Sequence, residues 1–246
     1  MGEASARDRL AWVGDVHIEQ DDPALDAFRS FLERLGARCR RVILMGDLFD
    51  LWIGRRELEQ PHHAAVAGTL AGLRRAGVEV VYVEGNRDYR IADGYVGEAL
   101  DASSELGRED RAGSRRFYSV HGDLVNVADR QYRAWRRLSR SAPFWAVFNL
   151  LPRGARLRLS RQLERRMRST NLLHKRAFPE ATVREFASDV FRQGYDALML
   201  GHFHVEKDFR VPVEGREGRV LVLPEWKGSR RHLEAAPDGT LEWVDS

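Results

Sequence analysis

GDVH at Gly14–His17, GDLFD at Gly46–Asp50 and GNRD at Gly85–Asp88 each end a short apolar run: Arg9–Val13, Val42–Met45 and Val78–Val83. The runs are short and apolar, so they read as buried strands. Between the first two, Leu25, Phe28, Leu32 and Leu35 recur at helical spacing, behind an acidic cap at Asp22 and a proline at Pro23. A second amphipathic stretch, His62–Arg75, separates the next pair. Strand, helix, strand, helix, strand is the βαβ pattern of an α/β fold. Two further motifs sit in the same position: HGD at His121–Asp123 follows the strand Arg116–Val120, and GHFH at Gly201–His204 follows Ala197–Leu200. Each strand end thus carries a carboxylate, amide or imidazole toward one edge of a sheet.

The rest of the chain is read around that frame. Glu98–Gly113 is polar and reads as a loop, Asp129–Gly194 as helical with breaks at Pro143, Pro152 and Pro179, and Val205–Val244 as antiparallel strands with turns. With 246 residues, 43% of them hydrophobic, the chain suffices for one large domain. No run approaches the roughly 18 apolar residues of a spanning helix, and no secretory leader is recognised, so the expected location is cytoplasmic. The single cysteine, Cys39, excludes an internal disulfide framework and reads as a bystander thiol. The net charge is only +3, yet residues 130–176 are crowded with arginines and hold one acid, Glu164.

The chemistry follows from residue type and spacing. In extended backbone, residues i and i+2 share a side, so Asp15 with His17 and His202 with His204 each form a two-toothed clamp. Glycine before these residues permits a tight turn that brings backbone close to an ion. Carboxylate, amide and imidazole ligands without thiolate suit Mn²⁺, Fe²⁺ or Zn²⁺ alike, and the expected cofactor is two divalent ions, with Mn²⁺ named first. Two such ions about 3.5–4 Å apart activate water and polarise phosphate. The implied reaction is hydrolysis of a phosphate ester or anhydride. Asp50, Asp88 and Asp123 read as residues that orient ligands or cap helices, and His62, His63, His174 and His232 as surface residues.

The order D-x-H, GD-x-x-D, GN-x-D, HGD, GH-x-H, spanning Leu10 to His204, resembles the calcineurin-like metallophosphoesterases. That resemblance implies a four-layer αββα sandwich with an inserted helical cap. It implies Asp15, His17, Asp47 and His204 on one ion, Asp47, Asn86, His121 and His202 on the other, and Asp47 as the bridge. Catalysis would fall to Asp15, Asp47, Asn86, Arg87 and His121. GDLFDLWIG, GNRD with Arg87 where most members have histidine, and HGD followed by Asp129 and Tyr132 are similar to the UDP-2,3-diacylglucosamine pyrophosphatases of lipid A biosynthesis. These attack the α-phosphate of their substrate with water and give UMP and lipid X. The chain departs from them at Arg55-Arg56, where GDD is common, and at Val205-Glu206, where the last motif commonly continues with Arg-Pro. By resemblance, Asn86, Arg87, Asp129, Ser169, Thr170 and Lys175 would contact substrate. Residues 1–128 and 178–246 would form the sandwich, and 129–177 the basic cap.

The cap has a reading of its own. Trp135, Leu138, Phe144, Trp145, Val147, Phe148, Leu150 and Leu151 lie among the arginines, a mixture that suits the cytoplasmic face of the inner membrane. The alternative is that they pack the cap onto the sandwich while the arginines face water. Three function classes stay open: a lipid-linked sugar-nucleotide pyrophosphatase, expected to bind no nucleic acid; a nuclease or nucleotide phosphodiesterase using the arginines; and a metal-free scaffold. Oligomeric state is not readable.

Overall fold

The computed structural model of the chain describes residues 7–170 and 178–246, and for 166–170 the backbone alone. Strands β1 (Arg9–Val13), β2 (Cys39–Leu44), β4 (Glu79–Val83) and β6 (Ala102–Ser104) pair in parallel, extended antiparallel by β12 (Arg231–Ala235) and β13 (Leu241–Asp245). The second sheet runs β10 (Lys207–Val213), β11 (Arg216–Val222), β9 (Ala197–Leu200), β8 (Arg115–Val120) and β7 (Arg108–Ala112). A two-stranded ribbon joins β3 (Trp52–Ile53) to β5 (Asp88–Tyr89).

Side-chain alternation builds the layers. Leu10 and Trp12, Ile43 and Met45, and Val81 and Val83 face inward and pack on Phe117, Ala197, Met199 and Leu221 of the second sheet. Their neighbours Ala11, Val13, Val42, Leu44, Val80 and Tyr82 face outward against helices α1 (Leu25–Arg38) and α2 (Pro61–Arg75). On the other side, Leu198, Leu200, Val220 and Val222 meet Val183, Ala187, Val190 and Phe191 of α7 (Glu180–Arg192). The order helix, sheet, sheet, helix is the expected αββα sandwich. Trp12 ties the two sheets polarly as well, its Nε1 donating to Ser119 Oγ at 2.9 Å.

Several expectations need correction. The polar segment expected as a loop contains β6 and β7, which escape notice because they are edge strands with charged residues such as Arg108, Glu109 and Arg111. Asp22 does not cap α1. It accepts from Ala24 N and Glu19 N, forming a turn before the helix, which begins at Leu25. His62, His63 and His232 are buried, not superficial. The first two pack on Phe49, and His232 Nε2 lies 2.9 Å from Glu234 Oε1. His174 lies outside the described residues. Cys39 is buried, which pushes its thiol up to about 12 and removes it as a nucleophile.

Helices α4 (Arg130–Arg140), α5 (Ala142–Leu150) and α6 (Arg153–Thr170) fall between β8 and α7. Trp145 and Phe148, expected to reach a membrane, instead pack on Leu51, Ile53, Leu58 and Tyr89 of the sandwich. The exposed apolar residues of this segment are others, chiefly Leu138, Val147 and Leu150. The arginines divide in the same way: Arg136 is buried, while Arg137, Arg153, Arg158 and Arg161 face water.

Trp145 is the plug of this junction, with its Nε1 donating to Ser139 O at 2.9 Å. Trp145→Ala removes a buried aromatic, a loss of about 3–5 kcal/mol in typical cores. Because the cluster is separate from the sandwich core, the expected result is faster proteolytic cleavage within α4–α6 while the sandwich fragment survives. Limited proteolysis with mass spectrometry of the fragments tests this.

Candidate metal centre

The two sheets present their strand ends to one cleft. Asp15 and His17 follow β1, Asp47 follows β2 and Asn86 follows β4; from the second sheet, His121 follows β8, and His202 and His204 follow β9. The loops are stitched together by Asp15 N to Gly46 O (3.1 Å), His17 N to Asp47 O (3.1 Å) and Gly201 N to His121 O (2.8 Å).

The expected extended clamps are not what turns the side chains inward. Asp15, His17, Asp47, His202 and His204 all have positive φ, between 50° and 71°. For residues other than glycine this left-handed backbone is costly, about 1–3 kcal/mol each, and it concentrates at functional sites. The glycines mainly provide room. A Cβ on Gly85 would stand 2.2 Å from Asp47 Oδ1, and one on Gly201 2.7 Å from Asp15 Oδ2.

Two clusters result. In one, His17 Nε2 and His204 Nε2 are 3.2 Å apart and Asp15 Oδ1 lies 3.5 Å from His204 Nε2. In the other, Asn86 Oδ1 lies 3.1 Å from His121 Nε2 and 2.9 Å from His202 Nδ1, with Asp47 Oδ1 3.7 Å from His121 Nε2. Asp15 with His17 and His204, and Asp15 with Asp47 and His121, have ligand atoms close enough to share an ion. All seven residues named as metal ligands from the sequence therefore meet in one place.

The electrostatics demand cations. Asp15, Asp47, Asp50, Asp88 and Asp123 are all buried. Burial alone would raise the Asp15 carboxyl, but His204, His121 and His17 hold it well below its ordinary value. Asp47 is raised, by burial and by Asp15, against the pull of His121 and Arg87. Asp88 is pushed up to about 6 by burial and by Asp47. Burial lowers His17 far below its usual range, with Arg87 and His204 adding to the effect, so it is a neutral imidazole ready to ligate. Buried carboxylates, converging imidazoles and no thiolate fit a hard or borderline divalent ion.

The remaining residues sort by contact. Asp88 Oδ2 accepts from Asp47 N (3.0 Å), Gly85 N (2.8 Å) and Tyr82 Oη (2.9 Å), so it orients the loops as expected. Asp123 pairs with Tyr132 Oη and with Arg136 Nε at 3.0 Å. Arg87, expected to contact substrate, is buried; its NH1 approaches Asp50 O (3.3 Å) and Oδ1 (3.4 Å), and its Nε lies 3.5 Å from Asp47 Oδ2. Asp129 Oδ1 accepts from Tyr132 N at 2.8 Å and caps α4. Ser169 and Thr170 end α6 with side chains that are not described, and Lys175 lies outside the described residues. The sequence reading missed Lys227, which donates to His17 O (2.6 Å) and Asp22 Oδ2 (2.9 Å); a lone lysine near the C-terminus gave no signal. It also missed Tyr82, although a phenol within an aliphatic strand marks a buried polar partner.

Burial lowers the His121 pKa, but Asp47, Asp15 and Asp123 outweigh it and hold the group at about 9. The folded-state pKa exceeds the ordinary 6.5, so this proton's stabilisation of the metal-free fold is complete below 6.5 and is lost as pH rises through about 9. A ligating imidazole must be neutral. Metal uptake at about pH 7.5 should therefore expel a proton, and affinity should weaken as pH falls. Calorimetry in buffers of different ionisation enthalpy measures the release; none at all would remove His121 from the ligand set.

Comparison with known proteins agrees with this geometry. Residues 8–206 match the family model described as calcineurin-like phosphoesterase. Among similar curated proteins, one from Cellvibrio japonicus (strain Ueda107) is 28% identical over 229 residues, covering 93% of this chain and 95% of its own. One from Proteus mirabilis (strain HI4320) is 27% identical, covering 87% and 90%. One from Pseudomonas paraeruginosa (strain DSM 24068 / PA7) is 28% identical, covering 94% and 96%. All three are named UDP-2,3-diacylglucosamine hydrolase. The loops that carry these seven residues all lie within the matched span, and the chain belongs to the calcineurin-like phosphoesterases, as a metal-dependent hydrolase.

Proposed function

We propose that the chain hydrolyses the pyrophosphate of UDP-2,3-diacylglucosamine, with water attacking the α-phosphate to give UMP and the diacylglucosamine 1-phosphate called lipid X. The observation that carries this reading is the likeness to the three relatives of that name, which covers 87% or more of the chain and so includes the cap segment as well as the metal loops. Asp15, His17 and His204 would hold one divalent ion, and Asn86, His121 and His202 the other. Asp47 would bridge, since it acts electrostatically on His204 of one cluster and on His121 of the other. Two Mn²⁺ ions, with Fe²⁺ or Zn²⁺ as substitutes, would polarise the phosphate and activate the attacking water.

The chain's own residues favour an anhydride over an ordinary ester. Arg87 follows Asn86, and a guanidinium cannot give up a proton at neutral pH. An alkoxide leaving group needs that proton. A departing phosphate monoester does not, because its second ionisation lies near about 6. Arg87, held between Asp47 and Asp50, is then a fixed positive charge for the leaving phosphate, in agreement with electrostatic stabilisation of a charged transition state. The helices α4–α6, docked beside the metal loops through Trp145 and Phe148, would form the cap that takes the acyl chains, with the domain division at 129–177.

Incubation with purified UDP-2,3-diacylglucosamine and Mn²⁺ should yield UMP and lipid X, identified by mass spectrometry. Asp47→Asn should abolish turnover and lower Mn²⁺ content more than Asp15→Asn does. Cleavage of RNA with steep salt dependence, and none of the lipid, would favour the nuclease reading that the exposed arginines support.

A peripheral position at the cytoplasmic face of the inner membrane is part of the same proposal. No helix among the described residues is long and apolar enough to cross a membrane. The exposed Val147 and Leu150 and the water-facing Arg153 and Arg158 supply the apolar and the electrostatic part of a surface contact. Val147→Ser with Leu150→Ser should reduce co-sedimentation with anionic vesicles at every salt concentration. Arg153→Gln with Arg158→Gln should reduce it chiefly at low salt. Co-sedimentation unchanged by both pairs would remove this face from the contact.

A further inference from the structure

The loop Gly85–Asp88 carries Asn86 and Arg87, and its last residue, Asp88, orients Asp47. Two of its carbonyl oxygens, those of Gly85 and Asp88, point away from the cleft toward α4. Both are met by one side chain: Arg140 NH2 donates to Gly85 O at 2.6 Å and to Asp88 O at 2.7 Å, with its guanidinium 5.1 Å over the ring of Tyr89. One turn earlier on the same helix, Arg136 NH2 donates to Glu105 O at 2.7 Å, and its Nε lies 3.0 Å from Asp123 Oδ2, two residues beyond His121. A single helix outside the sandwich thus grips the loops of two members of the second cluster, one on each sheet.

We propose that Arg140 is a positioning residue for the second metal ion. It fixes the span between Gly85 O and Asp88 O and so sets where Asn86 Oδ1 stands relative to His121 and His202. This rests on the reading of Asn86, His121 and His202 as ligands. The physical case is one of rigidity. Gly85 has no side chain to brace it, and nothing larger fits, because a Cβ there would collide with Asp47 Oδ1. Within the loop Gly85 O receives only a long bond from Asp88 N at 3.5 Å, so the close contacts on both carbonyls are those of Arg140. Both bonds come from the two N–H groups of one nitrogen, whose plane is set by the guanidinium and its seat over Tyr89; a lysine ammonium on its flexible stem is not held in that plane. The cap segment then has a second task besides covering the cleft: it completes the geometry of the ion that Asn86 holds.

The test uses the full chain and Mn²⁺ alone, by titration calorimetry, with the spin-coupled resonance of a manganese pair as a second readout. Wild type should bind two ions. Arg140→Gln should weaken the second by about 10-fold or more, the usual effect of losing a group that orients a ligand, and leave the first unchanged. Arg140→Lys should recover part of that loss. Arg156→Gln removes the 2.6 Å ion pair that ties α6 to Glu57 and leaves α4 and the loop untouched, so its second site should stay near wild type. Wild-type affinity for the second ion in Arg140→Gln would overturn the proposal, and so would an equal loss in Arg156→Gln, which would make Arg140 mere glue for the cap. One Mn²⁺ per wild-type chain would instead overturn the two-ion reading on which the proposal stands.

Discussion

Five carboxylates buried in one cleft repel one another, and most of what surrounds them can be understood as the means of keeping them there. Asp88 is held through Oδ2 by two backbone N–H groups and a phenol, Asp47 by the N–H and guanidinium of Arg87, Asp123 by Tyr132 and Arg136. Each of these contacts spends a donor on a carboxylate that would otherwise stay neutral or unfold the site. Even so, Asp15 Oδ1 and His17 Nδ1 have no hydrogen-bond partner. The left-handed turns at Asp15, His17, Asp47, His202 and His204 bring side chains together that have no other reason to meet, His17 Nε2 3.2 Å from His204 Nε2 and Asp15 Oδ1 3.5 Å from it. Folding stability and metal affinity are in this sense in competition, as in many sites built for function rather than for the fold.

The parts of this organisation that were legible from the residues are those governed by burial. Strands covered on both faces show as unbroken apolar runs, and the ligand motifs stand out because each terminates such a run. Edge strands do not, since one side meets water; β7 reads as a charged loop although Asp110 within it is buried against Arg41 and Arg108. The same limit explains His62, His63 and His232. Nothing in local spacing distinguishes a histidine stacked on Phe49, or paired with Glu234, from one in solvent, because the partner is supplied by tertiary packing.

The cap segment shows the limit most clearly. Composition correctly marks it as basic and aromatic, but composition cannot assign its faces. Trp145 and Phe148 are the docking face and Val147 and Leu150 the exposed one, a division set by helical geometry within a nine-residue element. The arginines obey the same division: Arg136 and Arg140 turn inward to backbone carbonyls, and Arg137 faces out. An arginine count therefore overstates the free positive surface, which weakens any argument for polynucleotide binding drawn from that count alone.

Under the proposed anhydride cleavage, Arg87 and the inward arginines of α4 would belong to one physical scheme. A site that breaks an anhydride has less need of a proton at the leaving oxygen than of fixed positive charge around it. Arginine suits that need because its charge persists through burial, and its planar fork can serve carbonyls and carboxylates at once. Arg87 places such a charge inside the cleft, and Arg140 braces from behind the loop on which Arg87 sits. A histidine at position 87 would trade that permanent charge for a titrating one, in surroundings where burial already drives His17 toward neutrality. The suitability of arginine thus follows from the deep burial of position 87 between two carboxylates, Asp47 and Asp50.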